Sequence, residues 1–398
     1  MKIVWVSCYC SDKTFSSLFE KLICKPEVSI QNYMSLFLAG FNKNNIDIAC
    51  VSERQIFNNE KKKVWLGYKE IDSNCKEITY LPTITIPVLS QLFRFLYNLF
   101  FFLCYFVKSR RPNIIVCDVM RFYASFPALL IAKLMRIRCV GYAADIPQMY
   151  HHQKKQQQSF IKILLKKIYS FTSVYYDGYI ILSEYMNEHI NPKGRPSIVV
   201  EGLVSKIGDE QALLLEKSSP SEELILMYSG GLYEKYGVKM LIDAVAGLED
   251  VCVKLWLFGK GELVDYIEEL DTPNIVYYGY KAHSEVVVKQ RQADFLINPR
   301  FTNEEYTKYS FPSKTMEYLA SGTPVISTRI KGIPNEYFKY IIPIEEESIK
   351  GIQDLLKKVS SMPKESLIKL GNDSKRFVYN EKNNVIQTAR VVKWMNQF

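Results

Sequence analysis

Short runs of β-branched and aromatic residues alternate with helix-length segments along nearly the whole chain. Twelve runs have the length and apolar content of buried strands, which predicts strands at 2–7, 46–52, 113–118, 139–143, 178–182, 197–200, 224–228, 253–258, 275–278, 295–298, 324–327 and 340–344. The segments between them predict helices at 29–42, 90–108, 122–135, 159–171, 184–190, 238–247, 263–270, 284–291, 314–320 and 349–360. This α/β alternation is typical of parallel sheets with helices on both faces, and so many elements require two sheets.

A polar stretch at 202–222, between two apolar strands, predicts the linker between two domains. We therefore expect a first domain at 1–202 and a second at 222–375. The remaining segment, 376–398, predicts a C-terminal helix, because Val385, Ala389, Val392 and Met395 recur at steps of three and four residues.

The segment 92–107 is almost continuously apolar, with Arg94 and Asn98 as its interruptions. A membrane-spanning helix needs about 20 apolar residues, so this shorter run predicts a buried or surface-lying helix instead.

Composition adds an asymmetry of charge to this picture. The chain has 398 residues, of which 48% are hydrophobic, so sizeable cores are expected and wholesale disorder is excluded. Residues 1–200 hold 26 basic and 14 acidic side chains, whereas residues 201–398 hold 25 and 28. A basic first half indicates contact with phosphates, a nucleic acid or an anionic membrane.

Eight of the nine cysteines also lie in the first half, mostly inside apolar runs. An odd number of cysteines predicts buried free thiols in a reducing cytosol rather than disulfides or a metal site. Residues 1–5 are predicted to begin the first strand, since their apolar run is too short for a signal peptide.

Two glycine turns follow predicted strands of the second half. Gly230 and Gly231 precede a helix, and adjacent glycines allow backbone N–H groups to approach an anion. Gly259 and Gly261 form the second turn. For both pairs a plain tight turn remains an alternative.

The segment 298–326 carries the strongest chemical signal. Ser313 is predicted to cap a helix whose free N–H groups favour phosphate oxygens. Lys314 in the first turn opposes the helix dipole, which suggests an anionic partner. Glu317 lies one turn further on the same face, where a carboxylate can accept two sugar hydroxyls. A simple surface pair of Lys314 with Glu317 is the alternative.

This segment, with the glycine turns before it, resembles the donor-domain signature of family 4 glycosyltransferases, which are retaining enzymes of the GT-B fold. The Phe-Pro-Ser-Lys run at 311–314 is similar to the branch that builds capsular, exopolysaccharide or O-antigen units. The resemblance implies two Rossmann-like, doubly wound parallel-sheet domains facing a cleft, with the C-terminal helix returning to the first domain. It also implies a nucleotide-sugar donor.

The resemblance assigns donor-binding roles to several positions. Glu317 would bind the ribose hydroxyls, Gly230 and Gly231 would lie beside the diphosphate, and the backbone of Tyr280 would meet the base. The donor-binding positions expected in all are Gly230, Gly231, Lys235, Gly259, Tyr280, Ser310, Phe311, Lys314 and Glu317.

The chain also departs from the family pattern. The first motif glutamate falls on Tyr309 and the phosphate arginine falls on Gly231. We expect Lys314, Arg300 and Lys235 to supply the missing positive charge, because a leaving diphosphate needs it.

On the acceptor side, the histidine of the family's first domain falls near Ala144, so Asp145 is the candidate base. The alternative for Asp145 is a turn cap before Pro147. Together with Lys314 and Arg300 it completes the set of candidate catalytic residues. His151 and His152 follow closely enough to line the same region.

No Asp-x-Asp pair occurs in the sequence, which agrees with a reaction that needs no metal and no other cofactor. The helix at 159–171 combines an apolar face with Lys162, Lys166 and Lys167, and helix 90–108 ends in basic residues. Both suggest attachment to an anionic leaflet, with lysines that snorkel over the sheet as the alternative. Nucleic-acid binding is disfavoured, since no recognised binding motif is present.

These features predict a retaining, metal-independent glycosyltransferase, peripheral on the cytoplasmic face of the membrane. It would move a sugar from a nucleoside diphosphate to a lipid-linked saccharide in cell-surface polysaccharide synthesis. The alternatives are a nucleotide-sugar epimerase of the same fold and a non-catalytic partner of an active transferase.

Overall fold

The computed structural model describes residues 1–57, 60–86, 89–108, 111–146, 171–172, 174–205, 223–270 and 272–398. The chain forms two compact units, Met1–Leu203 with Asn384–Phe398 and Val204–Asn383. The predicted basic helix at 159–171, His151 and His152, and most of the predicted linker fall outside the described residues.

The first unit is built on an eight-stranded sheet with the order β10-β9-β8-β7-β1-β2-β5-β4. All neighbours are parallel except β4, which runs antiparallel to β5. Its strands are β1 Lys2–Ser7, β2 Asp47–Ser52, β4 Tyr68–Glu70, β5 Glu77–Tyr80, β7 Ile114–Asp118, β8 Arg138–Ala143, β9 Gly178–Ile181 and β10 Ser197–Val199, and a separate antiparallel ribbon pairs β3 Val64–Trp65 with β6 Thr83–Ile84.

Helices cover both faces of this sheet, since Ile3, Val4, Trp5 and Val6 of β1 are all fully buried. The helices of the unit are α1 Asp12–Lys21, α2 Val28–Lys43, α3 Leu89–Lys108, α4 Phe122–Leu134, α5 Asn187–Ile190 and, at the far end of the chain, α12 Asn384–Met395.

The second unit is built on a six-stranded, fully parallel sheet with the order β13-β12-β11-β14-β15-β16. Its strands are β11 Leu224–Gly231, β12 Val253–Lys260, β13 Ile275–Gly279, β14 Phe295–Asn298, β15 Val325–Thr328 and β16 Ile341–Ile344. Its helices are α6 Val238–Ala246, α7 Val264–Glu269, α8 His283–Gln292, α9 Ser313–Ser321, α10 Ile349–Ser360 and α11 Lys364–Glu381.

Two apolar clusters sandwich this sheet. Leu241 of α6 and Leu356 of α10 belong to one cluster, whereas Met316 of α9 and Phe377 of α11 belong to the other. The predicted α/β class with two parallel sheets is therefore confirmed.

The last helix returns to the first unit, as the fold prediction required. Val391 and Met395 of α12 join the core that contains Trp5 and Phe37. Asn384 donates from Nδ2 to the carbonyl oxygen of Leu36, at 3.0 Å. The chain changes unit after Asn383 rather than at 375, because α11 continues unbroken to Glu381.

Helix α3 is longer than its apolar run suggested. It has 20 residues, and within the described ranges Ser90–Lys108 is the one helix long and apolar enough to cross a bilayer. Only 22% of its most apolar 18-residue stretch is buried inside the protein. The helix extends one residue beyond the predicted 90–108 and passes a test of length and composition for membrane spans.

We predict that Gly40→Ala destabilises the first unit. A Cβ at Gly40 would lie 2.3 Å from the carbonyl oxygen of Asn384 on α12, so the two helices would have to separate. Overpacking of this kind costs about 1–3 kcal/mol, measurable as a lower free energy of unfolding in urea.

Gly247→Ala is the matched control, because its Cβ would meet its neighbours at an ordinary 3.4 Å. Equal stability of the Gly40→Ala variant and the wild type would contradict the tight α2–α12 contact.

Candidate functional site

The candidate donor residues assemble at the carboxyl edge of the second unit's sheet. Because β11, β12, β13 and β14 are parallel neighbours, the turns that follow them meet at one edge. Gly231 ends β11, Gly279 ends β13, and Arg300 follows β14 by two residues. The topology thus brings together residues that lie up to 69 positions apart in the sequence.

The glycine turns leave no room for side chains. Gly230 pairs with Gly259 across the sheet, and a Cβ on Gly259 would lie 1.8 Å from the carbonyl oxygen of Gly230. Gly259 has a φ of +139°, which L side chains rarely adopt. The tight-turn interpretation of Gly259 is therefore sufficient to explain this residue, and any donor contact would come from its backbone.

Helix α9 begins beside these turns, with one difference from the sequence prediction. The residue at the N-cap is Pro312, and Ser313 is already the first helical residue. Pro312 makes no side-chain hydrogen bond that caps the helix within the part of the chain that the structure describes. Ser313 is therefore not the cap, because the extended φ and ψ of Pro312 already set the entry into the helix.

Lys314 and Glu317 form the ion pair that was the simpler alternative. The Nζ of Lys314 lies 2.9 Å from Oε1 of Glu317 and 3.1 Å from Oε2. Both side chains are partly exposed, at 35% and 23%. Pairs of this kind contribute little to stability, so the pair leaves both groups available to a stronger partner.

The carboxylate of Glu317 is held by a residue that sequence reasoning missed. Gln290 on α8 donates from Nε2 to Oε1 of Glu317 at 2.5 Å, and its own Oε1 is buried with no hydrogen-bond partner among the described residues. His283, the first residue of α8, is exposed, and its Nδ1 lies 3.8 Å from Oε2 of Glu317. The observed helix begins at His283, one residue before the predicted helix at 284–291, so the i,i+7 spacing that places His283 and Gln290 on one face became visible only in the structure.

Tyr318 fixes the end of β11 against α9. Its hydroxyl accepts from the N–H of Ser229 at 2.8 Å and donates to the carbonyl oxygen of Ser229 at 3.2 Å. Burial raises the pKa of Tyr318 well above its usual range, so the hydroxyl stays protonated. Gln290 also reaches the Ser229 hydroxyl, at 3.4 Å, which joins strand, helix and carboxylate into one network.

Two cations lie beside aromatic rings at the same edge. The guanidinium of Arg300 lies 4.7 Å from the ring centre of Tyr236, and Nζ of Lys235 lies 5.3 Å from it. Burial raises the pKa of Tyr306 to about 12, although the nearby Arg300 opposes this rise. Both cations are partly buried and lie near the carboxyl edge.

The remaining donor-side candidates have different surroundings. Ser310 is partly exposed and donates to the carbonyl oxygen of Tyr306, whereas Phe311 is buried against Tyr337. The ring of Tyr280 is 65% exposed, with Nζ of Lys260 at 5.3 Å from its centre. An exposed aromatic ring beside a strand end offers a surface on which a base can stack.

Asp145 lies in the first unit, directly after β8 and Ala144. Its Oδ1 accepts from the N–H of Ile146 at 2.8 Å, which fits its alternative as a turn residue. Burial raises the pKa of Asp145 above its usual value. A raised pKa makes a carboxylate a stronger base, so both interpretations stay open for this residue.

A second carboxylate, which the sequence did not predict, lies at the carboxyl edge of the first unit's sheet. Asp118 ends β7, its side chain is nearly fully buried, and Arg121 Nε lies 3.7 Å from its Oδ2. Burial raises the pKa of Asp118 to about 6, although Arg121 and the N–H of Met120 oppose the rise. An aspartate at the last position of a buried strand was the available sequence signal.

Residues 223–372 match the family model described as glycosyl transferases group 1. The matched residues lie in the second unit and include its glycine turns and α9. TuaH of Bacillus subtilis (strain 168), provisionally named a teichuronic acid biosynthesis glycosyltransferase, is 26% identical over 164 residues. That match covers 39% of this chain and 41% of TuaH.

Solved structures extend the similarity to the whole chain. Sucrose-phosphate synthase from Thermosynechococcus elongatus has a TM-score of 0.64 at 14% identity and covers 100% of this chain and 99% of its own. HepE of Anabaena, solved with UDP and glucose, has a TM-score of 0.61 at 11% identity and covers both chains completely. The lipopolysaccharide outer core galactosyltransferase WaaB has a TM-score of 0.60 at 17% identity, covering 100% and 99%. At these identities the similarity shows the fold, and the predicted GT-B fold is confirmed.

We predict that Asp118 makes the stability of the protein fall as the pH rises from about 4 to 6. The pKa of Asp118 is raised in the folded state, so the folded state holds the proton more tightly and loses this advantage as the carboxyl ionises. A shift of this size corresponds to at most about 3 kcal/mol.

Asp118→Asn should flatten this part of the profile of unfolding free energy against pH, measured by urea denaturation. Asp250→Asn, on an exposed carboxylate paired with Lys357, is the control. A slope that Asp118→Asn leaves unchanged would show that another group causes it.

Proposed function

We propose that the protein is a retaining glycosyltransferase that transfers a sugar from a nucleoside diphosphate to a lipid-linked saccharide in cell-surface polysaccharide synthesis. The observation that carries this proposal is the pairing of Lys314 and Glu317 at the start of α9, within the matched domain. One side chain suits a diphosphate, and the other suits the hydroxyls of a ribose.

The donor would bind along the carboxyl edge of the second unit. The diphosphate would lie near Gly230 and Gly231, where backbone groups can approach it, with Lys314, Arg300 and Lys235 as its cations. The base would meet Tyr280. HepE, which shares the fold, was solved with UDP-glucose, so a uridine nucleotide is the first donor to test.

The ion pair between Lys314 and Glu317 compensates the charges of both side chains before the donor binds. Without the donor, Lys314 and Glu317 neutralise each other across 2.9 Å. A diphosphate offers Lys314 more negative charge than one carboxylate, and ribose hydroxyls can donate to the oxygens that Lys314 releases. Gln290 would hold Glu317 in place during this exchange, because its hydrogen bond does not involve Lys314.

In the reaction, the bond between the anomeric carbon and the diphosphate oxygen breaks while the bond to the acceptor oxygen forms. The cations stabilise the charge that develops on the leaving oxygen. We propose that a departing phosphate oxygen takes the proton of the acceptor hydroxyl, with Asp145 as an additional acceptor-side base. The absence of an Asp-x-Asp pair supports transfer without a metal or other cofactor.

The acceptor assignment draws on relatives and on charge. TuaH is named for teichuronic acid biosynthesis and WaaB for the lipopolysaccharide outer core, and both names refer to cell-surface polymers. Lipid-linked intermediates carry phosphates, which suits the basic first half of the chain. We therefore propose a cytoplasmic protein attached peripherally to the inner face of the membrane.

A non-catalytic partner of an active transferase is the second candidate, and one observation favours it. Tyr309 occupies the position of the family's first motif glutamate, and it is only 5% exposed. A buried tyrosine cannot replace a carboxylate at the sugar. Release of nucleoside diphosphate upon sugar transfer by the purified chain separates the two candidates, and conversion of donor alone would instead identify an epimerase.

We predict that Glu317→Ala weakens nucleotide binding at least tenfold, because a charged acceptor of two hydroxyls is lost. The measurement is isothermal titration calorimetry with UDP, and GDP and ADP serve to identify the base.

Asp250→Ala removes a carboxylate from another lysine pair in the same unit and should leave the affinity unchanged. An affinity that survives Glu317→Ala would assign Glu317 to the surface pair alone.

We predict that Lys314→Ala lowers kcat by about 10²–10³ while the melting temperature stays near that of the wild type. The reason is the loss of a cation that stabilises the leaving diphosphate. The assay follows radiolabelled sugar entering a lipid extract of the source membranes.

Lys357→Ala, which removes the lysine of the Asp250 pair, is the control and should transfer sugar normally. Near-normal turnover of Lys314→Ala would exclude the phosphate role.

A further inference from the structure

Helix α3 presents a continuous apolar face to solvent. The face consists of residues spaced by three or four positions, which places them on one side of a helix. We call it the α3 face, and it comprises Leu92, Leu96, Phe100, Leu103 and Val107, which are 61%, 53%, 66%, 40% and 67% exposed. Large apolar side chains exposed together in this way mark a binding surface.

The opposite side of α3 is fixed to the first unit. Phe102 and Phe106 are buried, and Asn98 donates to the carbonyl oxygen of Tyr123 at 2.8 Å. Arg94 forms an ion pair with the buried Glu53 at 3.4 Å. A helix held by these contacts cannot leave the unit to cross a bilayer without exposing paired polar groups to lipid.

The surroundings of the α3 face are basic at both ends of the helix. Lys61, Lys62 and Lys63 are exposed next to the ribbon of β3 and β6, and Thr85 beside the start of α3 donates to the carbonyl oxygen of Lys63. Lys108 and Arg111 are exposed at the other end. Helix α3 itself contains no acidic residue.

The neighbouring helix α4 also carries exposed apolar residues. Leu130 and Leu134 of α4 are 40% and 73% exposed, and α4 packs along α3. An apolar face about 23 Å long with cations at its ends matches the interfacial region of a bilayer that contains anionic lipids.

We propose that the α3 face inserts into the surface of an anionic bilayer, with α3 lying in the plane of the interface. The flanking lysines contact the anionic head groups. This deepens the proposed function and rests on it for its purpose, which is to bring a lipid-linked acceptor to the enzyme. The binding itself needs neither donor nor acceptor, so it can be measured independently.

The test is flotation of the full chain with vesicles of phosphatidylcholine alone and of phosphatidylcholine with phosphatidylglycerol. We expect binding to the anionic vesicles, weakened but not abolished at raised salt, because the apolar contact is not screened. The double variant Leu96→Glu with Phe100→Glu should lower the vesicle partition coefficient at least tenfold.

The matched control is Ile71→Glu with Ile368→Glu, two exposed apolar residues outside α3, at 88% and 57%. It introduces the same charge and should bind vesicles like the wild type. Stabilisation by UDP in a thermal melt shows that each variant is folded and reports on the donor site separately.

Three results would overturn the proposal. The first is that the double variant of α3 binds vesicles as well as the wild type does. The second is that the wild type binds neutral and anionic vesicles equally. The third is a wild-type dimer without vesicle affinity, dispersed by the α3 substitutions in sedimentation, which would assign the face to a second copy of the chain. If the wild type binds vesicles but its melting temperature does not respond to UDP, GDP or ADP, the donor proposal is contradicted and this one stands.

Discussion

The close approach of backbone to backbone at the ends of β11 and β12 is the constraint on which the candidate site depends. A Cβ on Gly259 would overlap the carbonyl oxygen of Gly230, and one on Gly261 would lie 2.1 Å from that of Leu232. A third contact joins the turn after β11 to the end of β14, since a Cβ on Gly237 would lie 2.0 Å from the carbonyl oxygen of Pro299. These approaches fix the edge at which the cations and the start of α9 meet.

Polar groups under this edge fix its side chains in turn. Ser229 and Tyr318 are buried and satisfy each other, and Gln290 connects them to the carboxylate of Glu317. Partly buried networks of this kind restrict the rotamers of their members, because breaking one hydrogen bond leaves a buried group unpaired. The site thus has a rigid carboxylate and, in Lys314, a partner that can exchange.

Much of the fold followed from the pattern of the sequence, because parallel strands buried on both faces are continuous apolar runs. Helix α10 and strand β14 were predicted to the residue, whereas the strands from β3 to β6 were missed. Those strands have two to four residues each, and their pairing depends on distant partners rather than on a local period. In the site, glycines and charged residues were visible in the sequence, but Gln290 and Asp118 matter through burial, which only the packed structure reveals.

The chain leaves the first unit and returns to it at adjacent points. Val204 and Asn383 form an isolated parallel bridge, and α12 then completes the core around Trp5. During synthesis on the ribosome, the second unit therefore emerges in full before the last helix of the first one. The first unit must wait with the surface of α2 uncovered, so its folding cannot finish as an early, independent event. The unit that begins first along the chain is therefore the one that can be completed last.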